Sequence, residues 1–221
     1  MFFPIGDTNI VSDKKPFVTY FIIALNIAIF LYQISLARIG QENIAYQYGC
    51  IPVEIFNFNN LYTVFTSMFL HGGWMHLAGN MVFLWVFGDN IEMVIGRFRF
   101  TLFYIFGGVL STIIHCIFNA YSEVPCIGAS GAIAACLGAY LVMFPRSKIK
   151  ILFILFLTSF RVSAFIFLGI WILQQFMNGL GQIDATTDGV AYWAHIGGFV
   201  YGAIIGGVIR YRVSISDFVL E

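Results

Sequence analysis

Charge is scarce in this chain. Only 10% of its 221 residues are Asp, Glu, Lys or Arg, and 60% are hydrophobic. A soluble domain would carry roughly 25% charged residues. The shortage excludes an ordinary soluble domain and points to a polytopic helical membrane protein. Eleven basic and eleven acidic residues cancel, so nothing in the charge balance suggests a nucleic-acid partner. The four cysteines form no CxxC pair and share no ligand spacing with histidine, which argues against a structural zinc site. H-E-x-x-H is missing too, since His71 and His76 are five apart with no adjacent glutamate. Asp89 is the one aspartate inside an apolar span, near its inner end, so a pair of intramembrane aspartates is excluded. No A-x-A site follows the first apolar run, no Arg-rich presequence precedes it, and no repeat stands out. The expectation is one domain over 1–221, with its core at about 17–211 and a retained first helix.

What is there is apolar runs. They predict six spans, at 17–36, 74–95, 99–119, 130–144, 162–178 and 192–209. Pro145 and Arg146 stop the fourth. The stretch 149–177 is too long for one span, and Arg161 interrupts it. A charge at mid-bilayer costs several kcal/mol, so 149–160 is placed at the cytoplasmic interface. The long connection 37–70 still carries Ile51, Val53, Ile55, Phe56, Phe58 and Leu61, which suits the membrane interface. With these spans, ten of the eleven basic residues fall on one side and only Arg38 on the other. Both termini are therefore expected in the cytoplasm. The fold class expected is an all-α membrane protein, a six-transmembrane-helix bundle with a long outer loop after helix 1. Cys116 and Cys136 fall inside spans. Cys50 and Cys126 fall in or beside outer segments, which leaves a disulfide between them open.

Depth can be read from helical rise, ~1.5 Å per residue. Ser130 lies 16 residues before Arg146, roughly 24 Å. His195 lies 15 before Arg210, roughly 23 Å. Asn80 lies 17 before Arg97, roughly 26 Å, with His76 one turn higher. In a hydrocarbon core ~30 Å thick, four polar side chains from three helices share one layer below the outer surface. Gly198, Gly202 and Gly206 lie on the face of His195, and Ala134 and Gly138 on the face of Ser130. Small residues on both faces let these two helices approach closely.

Those residue types suit acyl transfer. A serine hydroxyl needs a base, which a neutral histidine supplies before protonating the leaving amine. The oxyanion that forms needs donors already in place. The free N–H groups at the helix start by Ser130 qualify, as do His76 and Asn80. Gly128 and Gly131 permit close approach of a substrate backbone. No carboxylate sits at the matching depth, so a Ser-His dyad is expected. His71, above the reactive layer, is expected to be structural or water-binding, and His115 structural. Glu92 and Arg97 should cap and anchor the inner end of the second span, and Trp171, Phe165 and Phe176 should pack or face lipid.

The segments His71–Asn80 (HGGWMHLAGN), Glu92–Phe100 (EMVIGRFRF), Gly128–Gly131 (GASG) and Ala194–Gly202 (AHIGGFVYG) occur in that order. With them the chain resembles the rhomboid intramembrane serine proteases, over about residues 60–210. The resemblance implies Ser130 as nucleophile, His195 as base, and His76, Asn80 and the Ser130 N–H as the oxyanion hole. It implies cleavage of transmembrane protein substrates near their outer ends, within the lipid bilayer, with no cofactor or metal. It also implies that 37–70 dips into the membrane while 162–178 and 178–191 gate access. Some members carry a tyrosine four residues after the nucleophile, stacked on the histidine. Here that position is Ala134, so another residue must hold the ring. The minimal form suggests a bacterial inner membrane. A non-catalytic rhomboid-like binder of transmembrane helices is the rival, but it would be expected to lack the serine or the histidine. A channel would need polar residues along a continuous path instead of one layer.

Overall fold

Long apolar runs fold as helices in a bilayer because every backbone N–H and C=O is then paired without water. A computed structural model of the chain describes residues 2–7, 15–38, 44–153, 158–181 and 190–213. In chain order its elements begin with β1 (Phe2–Asp7), α1 (Phe17–Arg38) and the short α2 (Ile44–Tyr48), α3 (Pro52–Phe56) and α4 (Thr63–Thr66). A 3-10 turn over Ser67–Phe69 precedes α5 (Trp74–Ile95), α6 (Arg97–Phe118) and α7 (Ser130–Met143). Then come β2 (Lys148–Phe153), β3 (Thr158–Ser163), α8 (Ala164–Gly181) and α9 (Tyr192–Arg212). Among the described residues, four helices are long and apolar enough to cross a membrane, namely Phe17–Ala37, Arg97–Phe118, Ala164–Gly181 and Tyr192–Arg212. The chain is an integral, multi-pass membrane protein. Helix α5 has comparable length but carries Asp89, Asn90 and Glu92. Lys14, and Asp184 and Asp188 of the predicted last outer loop, lie outside the described residues.

Helix α7 is the centre. Residues 131–140 are all buried, and α5, α6, α8 and α9 all touch it. A helix apolar on every face belongs inside a bundle. Its 14 residues rise roughly 21 Å, less than the hydrocarbon thickness, so it starts below the outer surface if its inner end reaches the opposite one. Leu84, Phe87 and Ile91 of α5, Phe100 and Tyr104 of α6, Leu137 and Tyr140 of α7 and Leu168 of α8 form the core with it.

Glu92 does cap a helix, but that helix is α1. Its carboxylate accepts from the Val18 and Thr19 N–H groups at 2.9 and 2.7 Å and from the Thr19 hydroxyl at 2.8 Å. A negative charge there satisfies orphan donors and opposes the helix dipole. Arg97 lies over the Phe17 ring, 5.4 Å from its centroid.

The expectation of an all-α chain needs correction. β1, β2 and β3 make a three-stranded antiparallel sheet in that order. Within the stretch placed at the cytoplasmic interface, the described residues 149–153 and 158–160 belong to two paired strands, β2 and β3, and the fifth long helix starts at Ala164. Along β2, Lys148 and Lys150 are exposed while Ile149 and Ile151 are buried. This period-2 alternation is what one-sided burial of a strand requires. Arg161 pairs with Lys150 across the sheet and is exposed, so its charge is never carried into a helix.

The connection ahead of α5 is held by side-chain and backbone bonds. The Tyr62 hydroxyl donates to the Gln47 carbonyl at 3.1 Å and the Thr66 hydroxyl to that of Tyr48 at 2.7 Å. Phe56, Phe58, Leu61 and Tyr62 are exposed on it, as a segment seated in a membrane interface would have them. Cys50 and Cys126 exchange backbone hydrogen bonds at 3.0 and 2.8 Å, but their thiols are free. The Cys50 sulfur points instead at Cys116, 3.5 Å away.

A polar clasp ties the sheet to the helices. Asp7 accepts from the Asn90 amide at 2.9 Å and from the Tyr140 hydroxyl, and Tyr140 meets the Ser147 hydroxyl at 2.7 Å. Burial pushes the Asp7 carboxyl up to about 6, against the lowering effect of the Tyr140 and Asn90 hydrogen bonds. Because the folded value exceeds the unfolded one, the folded state binds the proton more tightly, and stability is lost as pH rises through about 6. Thermal unfolding in detergent should show the parent losing stability relative to Asp7→Asn between about pH 4 and 7. Parallel pH profiles for the two proteins would rule the clasp out as a titrating contact.

Candidate active site

The site begins with how α7 and α9 pack. Gly198, Gly202 and Gly206 of α9 lie against the backbone of Gly131, Ala135 and Ala139 of α7. A Cβ at Gly202 would sit 2.6 Å from the Ala135 carbonyl carbon, and one at Gly206 2.8 Å from the Ala139 Cα. In return, Gly138 of α7 faces the backbone of Phe199 and Ala203. The α9 face is the predicted one. On α7 Gly138 is in the contact as expected, but Ala135 meets Gly202 where Ala134 was expected.

This packing brings the first turns of both helices together. Ser130 opens α7, and His195 lies in the first turn of α9. The His195 Nε2 is 2.8 Å from the Ser130 Oγ. The other ring nitrogen, Nδ1, is 2.8 Å from Oε1 of Gln175 on α8. Trp171, one turn earlier on α8, lies tilted beside the imidazole, with ring centroids 5.8 Å apart. Trp171 was expected only to pack or face lipid; it packs, and what it packs on is this ring. Ala134 is fully buried.

Across from Ser130 stand His76 and Asn80. Gly128 has φ +130, a conformation that glycine alone adopts readily. A Cβ there would lie 2.8 Å from His76 Nε2 and 3.6 Å from Asn80 Nδ2, so the missing side chain makes room for both. The Gly128 N–H donates to the Ser67 carbonyl at 2.9 Å, which fixes the loop ahead of the serine. His76 Nδ1 accepts from the Gly72 N–H at 3.3 Å, leaving its proton on Nε2, the nitrogen nearer Gly128. No side chain caps α7, so the N–H groups of its first turn lack a partner within the helix.

His71 is structural, as expected, and its task is specific. The Gln33 side chain of α1 bonds both its backbone groups, accepting from the His71 N–H at 3.1 Å and donating to its carbonyl at 3.3 Å. The His71 Nε2 then meets Asn80 Nδ2 at 2.9 Å. Burial, then His76, push His71 down to about 4. A neutral ring accepts one Asn80 N–H, and the amide keeps a second. His115 bonds only within its own turn, to Asn119.

Gly131, expected to let a substrate approach, is buried, and a Cβ there would sit 2.6 Å from Ser111 Cβ on α6. It therefore also lets α6 and α7 pack closely. Gln175 was missed altogether. Its signal was a glutamine pair, Gln174-Gln175, inside an otherwise apolar helix.

The family model for the Rhomboid domain matches residues 59–212. The chain belongs to the rhomboid family. It is 31% identical over 201 residues to Rhomboid protease GluP of Bacillus subtilis, covering 90% of this chain and 37% of that protein. Against RHOMBOID-like protein 5 of Arabidopsis thaliana the identity is 27%, over 74% of this chain and 49% of the relative. Against the mitochondrial Rhomboid protein 1 of Saccharomyces cerevisiae it is 26%, over 89% and 54%. The chain thus spans about a third to a half of the length of these relatives. The matched rhomboid region contains every residue placed around Ser130.

If α7 and α9 owe their contact to absent side chains, a methyl should separate them. Gly202→Ala should lower stability in detergent by about 1–3 kcal/mol. Gly169→Ala on α8, where a Cβ meets nothing within 4 Å, should not. Equal thermal midpoints for the two variants would place the helix contact elsewhere.

Proposed function

We propose that this rhomboid is an intramembrane serine endopeptidase that cleaves transmembrane segments of membrane proteins near their outer ends. The 2.8 Å contact between Ser130 Oγ and His195 Nε2 carries the proposal. His195 takes the hydroxyl proton as Ser130 attacks the scissile carbonyl, then delivers it to the leaving amine. The uncapped N–H of Ser130, with the side chains of His76 and Asn80, holds the oxyanion of the tetrahedral intermediate. Water then repeats the attack on the acyl-serine, with His195 as base again. The chemistry asks for no metal or cofactor.

The same proposal has six helices crossing the bilayer, α5 and the shorter α7 joining the four apolar ones, with both termini in the cytoplasm. A bacterial inner membrane suits it. Placement of the polar groups in one layer under the outer surface sets where the substrate is cut. The family membership and a relative named as a protease support this assignment.

Ser130→Ala and His195→Ala should each abolish cleavage of a tagged single-span substrate panel, with the folded state retained. Asn80→Ala should slow turnover by roughly 10²-fold or more. Turnover of Ser130→Ala equal to the parent's, in detergent, would refute the proposal. An unchanged rate for Asn80→Ala would return that amide to helix packing.

A further inference from the structure

A histidine that accepts a proton from serine through Nε2 must carry its own proton on Nδ1. In a buried site that second N–H needs an acceptor, and in the familiar serine triads a carboxylate provides it. Here the acceptor is a carboxamide. Gln175 Oε1 stands 2.8 Å from Nδ1, and Gln175 is only 7% exposed. Helix α8 is otherwise thinly packed, burying just Ala164, Leu168 and Gly179 besides. Turning a glutamine inward from an apolar helix costs free energy unless its polar atoms are bonded, and His195 is the bonded partner. Trp171 lies at i−4 from Gln175, so one face of α8 supplies both the ring that flanks the imidazole and the oxygen that bonds it.

We propose that Gln175 is a positioning residue that holds His195 in its Nδ1–H tautomer, completing an uncharged Ser130–His195–Gln175 relay and tying the base to the position of α8. This rests on the endopeptidase assignment. A carboxylate at this depth would cost several kcal/mol. The amide orients the ring without that cost and stabilises the transient imidazolium only through its dipole. Ser130, Gln175 and Trp171 touch His195, and among the described residues the titratable groups acting on it are His76 of α5 and His115 of α6.

The test compares the parent, Gln175→Met, Gln175→Glu and Ser130→Ala on a quenched fluorescent transmembrane peptide in detergent, across pH. Gln175→Met keeps the side chain's length and loses the acceptor. Its kcat should fall roughly 10- to 100-fold with KM little changed. Nitrogen NMR of the His195 ring should then show a mixture of tautomers where the parent shows Nδ1–H alone. Gln175→Glu restores an acceptor and adds charge. It should recover kcat to within about tenfold of the parent and move the acid limb of the pH profile to higher pH. An unchanged kcat and pH profile in Gln175→Met, with Ser130→Ala inactive, would overturn the role of Gln175 and leave the dyad standing. So would a rise in KM alone, or equal loss in the Met and Glu variants with thermal midpoints intact, which would mark simple packing. Parent-like turnover by Ser130→Ala would overturn the endopeptidase assignment itself.

Discussion

Helices α7 and α9 meet backbone to backbone, and the site follows from that contact. Between two helices in lipid there is little hydrophobic drive, because the tails they displace are as apolar as the side chains. Attraction has to come from dispersion at short range, which falls away within an ångström of lost contact. Glycine at 198, 202 and 206 removes what would hold the axes apart. The first turns are then held in a fixed relation, and Ser130 and His195 are on those turns. Since α7 is enclosed on every side, it cannot slide to relieve an error in placement.

Several polar groups around this apolar centre are bonded across elements. Gln33 of α1 grips the backbone of His71, which meets Asn80 of α5. Glu92 of α5 caps α1. Gln175 of α8 meets His195 of α9. Each bond meets the demand that a buried donor or acceptor find a partner. The bonds of Gln33, His71 and Gln175 also fix elements beside the proposed chemistry, whereas Glu92 acts near the inner end of α5. Beside Ser130, structural glue and site construction are the same bonds. His71 therefore reads as structural even though it sits one hydrogen bond from Asn80.

The long helices were legible because length and hydropathy decide them. The second span was expected at 74–95 and α5 is Trp74–Ile95. The meeting of Ser130 with His195, and of His76 and Asn80 with Gly128, was legible because helical rise converts sequence distance into a level along packed helices. The sheet was overlooked although Lys148-Ile149-Lys150-Ile151 alternates as a strand should, because the apolar stretch was read only for spans and its remainder assigned to the interface. On α7 Gly138 was legible but Ala135 was not, since Ala132, Ala134, Ala135, Gly138 and Ala139 offer several adjacent faces. The Cys50–Cys116 proximity was beyond reach, because a cysteine inside a span had no visible route to one in a loop. Gln175 carried a real signal, but a glutamine on a helix face does not name its partner. Only the rotation of α8 about its axis does.

That rotation separates two kinds of part in the molecule. The serine and the base sit on helices locked by backbone contact, whereas the group that orients the base comes from a helix with four buried residues. A transmembrane substrate is as thick as any of these helices, so it reaches Ser130 only if something at the periphery yields. Yielding at α7 or α9 would pull the dyad apart. Yielding at α8 uncovers few buried residues, and it acts on the imidazole through the Gln175 hydrogen bond and the Trp171 ring. In the proposed mechanism the tightly packed pair keeps the reacting atoms in register, while the loosely packed helix decides when the base is correctly held. Access and proton transfer are then linked by one carboxamide, with no buried charge required at either step.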